Sequence, residues 1–135
     1  MNNLSKVLII KISATVLVWC IPLIFFPGSI LNFLGLPAQE SYMFIRLLGW
    51  AYLSLCVGYW FAFKESLKGN ILTGPIYVGI VSNGGACAYL LYYGLCGEWQ
   101  EWGLMFQVIG WGSAFVTALI TVGLYKFGIS SRALS

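Results

Sequence analysis

The sequence predicts an all-α membrane protein in which four transmembrane helices form an up-down bundle. Hydrophobic residues make up 60% of the 135-residue chain and charged residues only 8%, whereas about a quarter of a soluble domain is charged. Four windows are also apolar over the roughly 20 residues that a helix needs to cross a bilayer. The short polar connections between these windows are typical of antiparallel neighbouring helices.

The whole chain, residues 1–135, is interpreted as a single transmembrane domain. Its predicted spans cover about residues 7–26, 42–63, 71–95 and 103–127. Lys11 lies in the first span, Arg46 near the start of the second, and Lys126 near the end of the fourth. Because a lysine side chain can extend along apolar surface to the membrane interface, Lys11 and Lys126 are interpreted as anchors.

Basic residues concentrate on one side of the predicted bundle. If the N-terminus is cytoplasmic, that side holds six bases and one acid, Glu65, for a net charge of +5. The opposite side holds one base, Arg46, and three acids, for a net charge of −2. Since cytoplasmic loops of membrane proteins are rich in lysine and arginine, both termini are predicted to be cytoplasmic. The six bases are Lys6, Lys11, Lys64, Lys68, Lys126 and Arg132.

The two outer connections are predicted to lie at the membrane interface. In the first, Ser29 is a candidate N-cap and Gly35 a candidate stop for a short helix. Because residues 30–36 are mostly apolar, this helix is expected in the interface, or else packed over the mouth of the bundle. In the second, Trp99 and Trp102 are interpreted as part of an aromatic belt.

Small residues define the expected seams between helices. Lipid provides no hydrophobic driving force for helix association, so close backbone approach and polar contacts have to stabilise it. The fourth span repeats glycine or alanine every four residues, and a row of hydroxyl residues runs beside them. Such faces serve either the inside of one chain or contacts between copies, so a homo-oligomer is predicted. The residues are Gly110, Ala114 and Ala118, with Ser113, Thr117 and Thr121 beside them.

Asn83 is predicted to lie near the middle of the membrane, where an unpaired amide is costly. One interpretation is a hydrogen bond to a hydroxyl group of the fourth span. The other is a polar group that faces a pore or a ligand, in which case Ser113, Thr117 and Thr121 line a channel formed by several copies.

Arg46 is the candidate ligand-binding residue, since an ionisable group in a span normally faces a partner or a wet cavity. One interpretation is a salt bridge to an outer glutamate. The other is an outward-facing cavity in which Arg46 holds an anionic or polar headgroup and aromatic side chains pack its apolar part. Gln107 and Tyr92 or Tyr93 are expected at a similar depth, and Glu98 and Glu101 slightly above. Trp50 and Trp111 are expected about one turn further inward, as walls of the cavity.

Several kinds of chemistry are excluded by the residue types present. The chain has no histidine, so histidine-based metal sites, haem ligation and catalytic pairs are absent. All four carboxylates lie at predicted interfaces, which disfavours a proton-coupled exporter. The net charge of +3 is too small to indicate nucleic-acid binding. No cofactor is predicted. The four cysteines lack C-x-x-C spacing, which leaves a disulfide between Cys20 and Cys96 as an alternative.

Three short runs carry a resemblance to a known family. LGLP at 34–37 ends the apolar loop, RLLG follows at 46–49 and GYW at 58–60. Over about the first half of the chain, this order resembles the DoxX-like group of small four-helix bacterial membrane proteins. The resemblance implies a multi-pass protein of the bacterial inner (cytoplasmic) membrane. Some members are linked to quinone-dependent redox complexes as small subunits, which implies a protein partner and no catalytic residue.

Three classes of function remain. The first is a small non-catalytic integral membrane protein that serves as an accessory subunit or a homo-oligomeric component among membrane lipids. The second is a binding or transport protein, or an oligomeric channel, for a lipid, quinone or small anion that uses the cavity around Arg46. The third is a membrane enzyme acting on lipid or quinone, for which no nucleophile or base is identified.

Overall fold

The computed structural model describes residues 2–130, so Met1 and residues 131–135 lie outside the described part, and Arg132 with them. Within this part the chain is all-helical, which confirms the predicted class. Four helices are long and one is short. They are α1 (Asn3–Phe25), α2 (Gly28–Phe33), α3 (Met43–Leu67), α4 (Thr73–Leu95) and α5 (Leu104–Ile129).

Helix α1 contains one turn of π-helix. It is α-helical over Asn3–Thr15, π-helical over Val16–Cys20 and α-helical again over Ile21–Phe25. Pro22 has no N–H to donate to the carbonyl four residues earlier, and a π turn is one way in which a helix accommodates such a gap. Helix α5 likewise ends in a π turn, Tyr125–Ile129.

Helix α2 differs from the prediction at its start and agrees with it at its end. Its N-cap is Pro27, so Ser29 lies inside the first turn and the predicted Ser29 cap is wrong. Gly35 ends the helix as predicted, with a positive φ of 107° that glycine adopts without steric cost. The Gly35 carbonyl then accepts a 3.0 Å hydrogen bond from the Gly103 N–H, so the first connection is held against the second.

The long helices associate as two antiparallel pairs. In the first pair, α1 packs along α3. Gly49 is buried at this seam: a Cβ there would lie 2.7 Å from Cγ1 of Ile24. Further along, the hydroxyls of Ser5 and Ser66 share a buried 2.8 Å hydrogen bond. Glycine therefore sets the spacing at one end of the seam and a polar pair fixes its register at the other.

In the second pair, α4 packs along α5 to a similar extent. The Trp99 ring, only 5% exposed, lies against Gly110, where an added Cβ would stand 2.7 Å from its Cζ3. At the other end, Gly79 meets the Leu124 side chain in the same way. The predicted small faces therefore serve the inside of one chain. The aromatic-belt interpretation of Trp99 is wrong, because its ring is enclosed between the two helices.

The hydrophobic core lies at the end where α1 begins and α5 ends, which we call the termini end; the opposite end, with α2 and the 96–103 connection, is the loop end. All four long helices contribute large apolar side chains to this core, and it closes the bundle at the termini end. Its buried members are Leu4, Leu8, Tyr59, Ala62, Phe63, Ile76, Ile120 and Leu124.

Three of the described helices are long and apolar enough to cross a membrane: α1, α3 and α5. Helix α4 is also long, with 23 residues, but asparagine, tyrosines and glycines dilute its apolar residues. The long helices begin within about four residues of the predicted spans. The largest difference is at α1, where the Asn2 side chain accepts a hydrogen bond from the Ser5 N–H and caps the helix ahead of the apolar window.

The close approach of α1 and α3 predicts the outcome of a pair of substitutions. We expect Gly49→Ala to destabilise the protein by about 1–3 kcal/mol, because the new methyl group overpacks the seam against Leu23 and Ile24. The matched control is Gly58→Ala on the same helix, where a Cβ meets nothing within 4 Å and alanine improves helix propensity. Thermal unfolding in detergent measures both. Equal melting temperatures for the two variants would contradict the close packing.

Candidate functional site

A cavity of about 450 Å³ lies between the two helix pairs. This volume is typical of a site for one small organic molecule. All four long helices line it, and most of its walls are apolar. At the loop end, Trp19 of α1 and Tyr52 of α3 stand side by side with ring centroids 6.2 Å apart. Two lining residues, Val18 (41% exposed) and Tyr89 (67% exposed), reach the outer surface of the helices, so the cavity opens sideways.

Among the described lining residues, Lys11 is the only charged one. Its side chain is 4% exposed, and its Nζ lies 4.2 Å from the centroid of the Tyr59 ring. Lys11 therefore faces the interior. The prediction that its side chain extends to the membrane surface is wrong. Over residues 2–130 the one ion pair joins Lys68 to Glu65, so no carboxylate in this part of the chain neutralises Lys11.

Three polar side chains continue from Lys11 along the lining. The Tyr59 hydroxyl shares a 3.0 Å hydrogen bond with the Ser82 hydroxyl. Next to it, Asn83 donates from Nδ2 to the Gly79 carbonyl at 2.6 Å, with a longer 3.5 Å contact to Ser82 Oγ. Lys11, Tyr59, Ser82 and Asn83 line the part of the cavity toward the termini end, and we call them the polar end of the cavity.

Asn83 is buried as predicted, at 6% exposed, but its hydrogen bond is not the predicted one. The amide bonds within α4, to the carbonyl four residues earlier, and not to a hydroxyl of α5. Because its hydrogen-bond partner lies in its own helix, the Asn83 side chain stays at the cavity wall. This position is compatible with the other predicted role, a polar group that faces a ligand.

The hydroxyl residues of α5 are divided between the cavity and a seam. Ser113 and Thr117 line the cavity, and Thr117 Oγ1 donates to the Ser113 carbonyl at 2.7 Å. Thr121 instead lies against α4, where its Cγ2 would be 3.7 Å from a Cβ on Gly84, and its hydroxyl donates to the Thr117 carbonyl. Two of the three side chains predicted to line a channel therefore face the interior of one chain.

Arg46 does not line the cavity. Its Nη1 donates to the Leu23 carbonyl at 2.6 Å and its Nη2 donates to the Phe26 carbonyl. Both carbonyls belong to the last turn of α1, which has no further N–H groups to bond them, and the negative end of the helix dipole favours a cation there. Arg46 thus caps α1 from α3, in place of the predicted salt bridge to an outer glutamate.

The other residues predicted around Arg46 are not brought together into one pocket. Trp50, Tyr92 and Tyr93 are each more than 40% exposed. Trp111 stacks edge-on against Trp99 with centroids 5.1 Å apart. Gln107 donates to the Trp102 carbonyl at 2.8 Å. Glu101 is exposed in the second connection. None of them lines the cavity.

The cysteines are all free thiols. Cys20 is buried in α1 within hydrogen-bonding reach of Cys56 in α3, whereas Cys96 is exposed at the end of α4. The alternative disulfide between Cys20 and Cys96 is therefore not formed, because the seam between α1 and α3 directs Cys20 to a different neighbour.

The sequence interpretation missed Lys11 as a site residue, although one signal was available. Lys11, Ala14, Thr15, Val18 and Trp19 follow the three- and four-residue spacing of one helix face, and all five line the cavity. A lysine on the same face as a threonine and a tryptophan is better placed for the interior than for lipid. Chemically, the arrangement offers a single ammonium donor at one end of an apolar compartment.

The capping role of Arg46 gives a testable prediction. We expect Arg46→Leu to destabilise the protein by about 1.5–3 kcal/mol, since two helix-end carbonyls lose charge-assisted hydrogen bonds. The control is the double substitution Glu98→Gln with Glu101→Gln, which should leave the melting temperature unchanged. If the glutamate substitutions destabilise the protein as much as Arg46→Leu does, a salt bridge and not the cap holds Arg46.

The function of the cavity has to be inferred from its geometry, because comparison with known proteins found no match. No protein-family model, no curated protein and no solved structure matches this chain. The DoxX-like resemblance of the first half of the sequence thus remains an expectation.

Proposed function

We propose that this chain is a non-catalytic integral membrane protein that binds one lipid-soluble, amphipathic molecule in the cavity between its helix pairs. The observation that carries the proposal is the buried ammonium of Lys11 at the polar end of a largely apolar compartment. An ionisable group inside a membrane-spanning segment is rare and usually marks a ligand or ion site.

The outer surface supports a membrane location. More large hydrophobic side chains are exposed than buried among the described residues, and Phe33, Phe44 and Leu104 are each over 70% exposed. A water-soluble monomer seldom exposes so much contiguous apolar surface, whereas lipid tails solvate it without cost.

The charges support a particular topology. Lys6, Lys64 and Lys126 are exposed at the termini end, and Glu98 and Glu101 are exposed at the loop end. The positive-inside rule then favours a cytoplasmic termini end. We propose four crossings, with α4 as the least apolar span because it is covered by α5 and borders the cavity. The DoxX-like resemblance adds the bacterial inner membrane as its location.

The shape of the cavity supports binding over the other predicted roles. Its sideways opening admits a molecule dissolved in lipid, and its apolar walls suit the body of such a molecule. The small-residue faces that supported a homo-oligomer are occupied within one chain. An accessory-subunit role in a larger complex is compatible with ligand binding, and no contact among the described residues favours it specifically.

Blocking the cavity tests this proposal. A Cβ on Gly112, which lines the cavity, meets nothing within 4 Å, so Gly112→Phe should fold and fill part of the compartment. We expect native mass spectrometry of wild-type protein extracted from membranes to show one small lipophilic adduct per chain. Its occupancy should fall about tenfold in Gly112→Phe, as a loss of about 1.4 kcal/mol in binding requires.

The matched control is Gly85→Phe on α4. Gly85 also has open space around its Cβ position but lies outside the cavity lining. It should retain the wild-type adduct. Equal occupancy in wild type and both variants, or no adduct in any of them, would overturn the proposal.

A further inference from the structure

The described lining residues include one cation and no anion, which restricts the kind of headgroup that the cavity takes. Among the lining residues the titratable groups besides Lys11 are the phenols of Tyr52, Tyr59 and Tyr89. Cys56 lies behind them in α3, within electrostatic range of Lys11. The described glutamates all lie at helix ends or in connections; they are Glu40, Glu65, Glu98 and Glu101.

The Tyr59 ring alone does not compensate the ammonium. A cation–π contact recovers only part of the hydration free energy that an ammonium loses on burial, even in a relaxed protein. Lys11 also makes no hydrogen bond to another described residue, so its three N–H donors have no acceptor in this part of the chain. An anionic group with oxygen acceptors supplies both missing interactions at once.

The number and type of donors favour a singly charged headgroup. A lysine is a point charge, whereas bidentate binding of a phosphate is typical of arginine, and the lining contributed by residues 2–130 has no arginine. Beyond Lys11, the second Nδ2 hydrogen of Asn83 has only the 3.5 Å contact to Ser82, longer than a normal hydrogen bond. The Lys11 ammonium and the Asn83 amide are thus two hydrogen-bond donors, which match the two acceptor oxygens of a carboxylate.

We propose that the bound molecule is a long-chain carboxylate, of the fatty-acid class, whose headgroup pairs with Lys11 and whose single acyl chain lies along the apolar walls toward the sideways opening. This inference rests on the proposed function and adds the headgroup to it. Lys11 is about 12 Å along α1 from its first residue, at a rise of 1.5 Å per residue. The carboxylate is therefore bound below the membrane surface and not at it.

Competition in lipid nanodiscs tests the proposal. The probe is tritiated palmitate, displaced by unlabelled palmitate, palmityl alcohol, decylubiquinone or acetate. We expect wild-type protein to bind palmitate at least about tenfold more tightly than palmityl alcohol or decylubiquinone, and acetate not to compete. Lys11→Met should remove the preference for palmitate over the alcohol, and Lys11→Arg should keep most of it.

The control is Lys6→Met on the same helix, since Lys6 is exposed and should leave the preference unchanged. If palmitate, palmityl alcohol and decylubiquinone bind equally and Gly112→Phe weakens all three, the carboxylate inference fails while the proposed function stands. If acetate displaces palmitate at similar concentrations, the ligand is a small carboxylate and the acyl-chain part fails. If neither palmitate nor the neutral compounds bind, both proposals fail.

Discussion

The central constraint in this protein is a positive charge kept inside a packed helical structure, with no opposite charge beside it from residues 2–130. Lys11 approaches the face of Tyr59, and the other described residues of the cavity lining are neutral. Burial of an unpaired ion is among the largest single penalties that a fold can carry. Stability alone therefore does not account for Lys11, whereas a bound anion in the cavity does.

The cavity results from the way the two helix pairs are built. Gly49 brings α1 close to α3, and Gly79 and Gly110 bring α4 close to α5, so the interdigitated packing is concentrated within each pair. Between the pairs, large side chains such as Phe63, Ile76 and Leu124 fill the termini end only. Toward the loop end the lining includes small residues, Ala14, Ala86 and Gly112 among them, and they leave space that the helices do not close.

The positions of the helices could be predicted from the sequence, whereas the residues that line the cavity could not. Hydrophobic length and breaks such as Gly35 are local properties, so helix positions can be predicted from them to within a few residues. The interior partner of a charged side chain is not local. Arg46 and Lys11 are each a lone base in an apolar window, and only the antiparallel register of α1 and α3 shows that one meets carbonyl groups and the other meets a cavity. The environments of Asn83 and Trp99 are hard to predict for the same reason. Each side chain has two chemically suitable environments, and the sequence does not indicate which is nearer.

The π turn at Val16–Cys20 divides α1 into two parts that differ in rotational phase. One extra residue in a helical turn rotates the remainder of the helix by about 100°. The first part carries Lys11 on the cavity lining, and the second part carries Leu23 and Ile24, which pack against Gly49. The extra residue therefore sets the angle around the helix axis between Lys11 and the two residues that pack on Gly49.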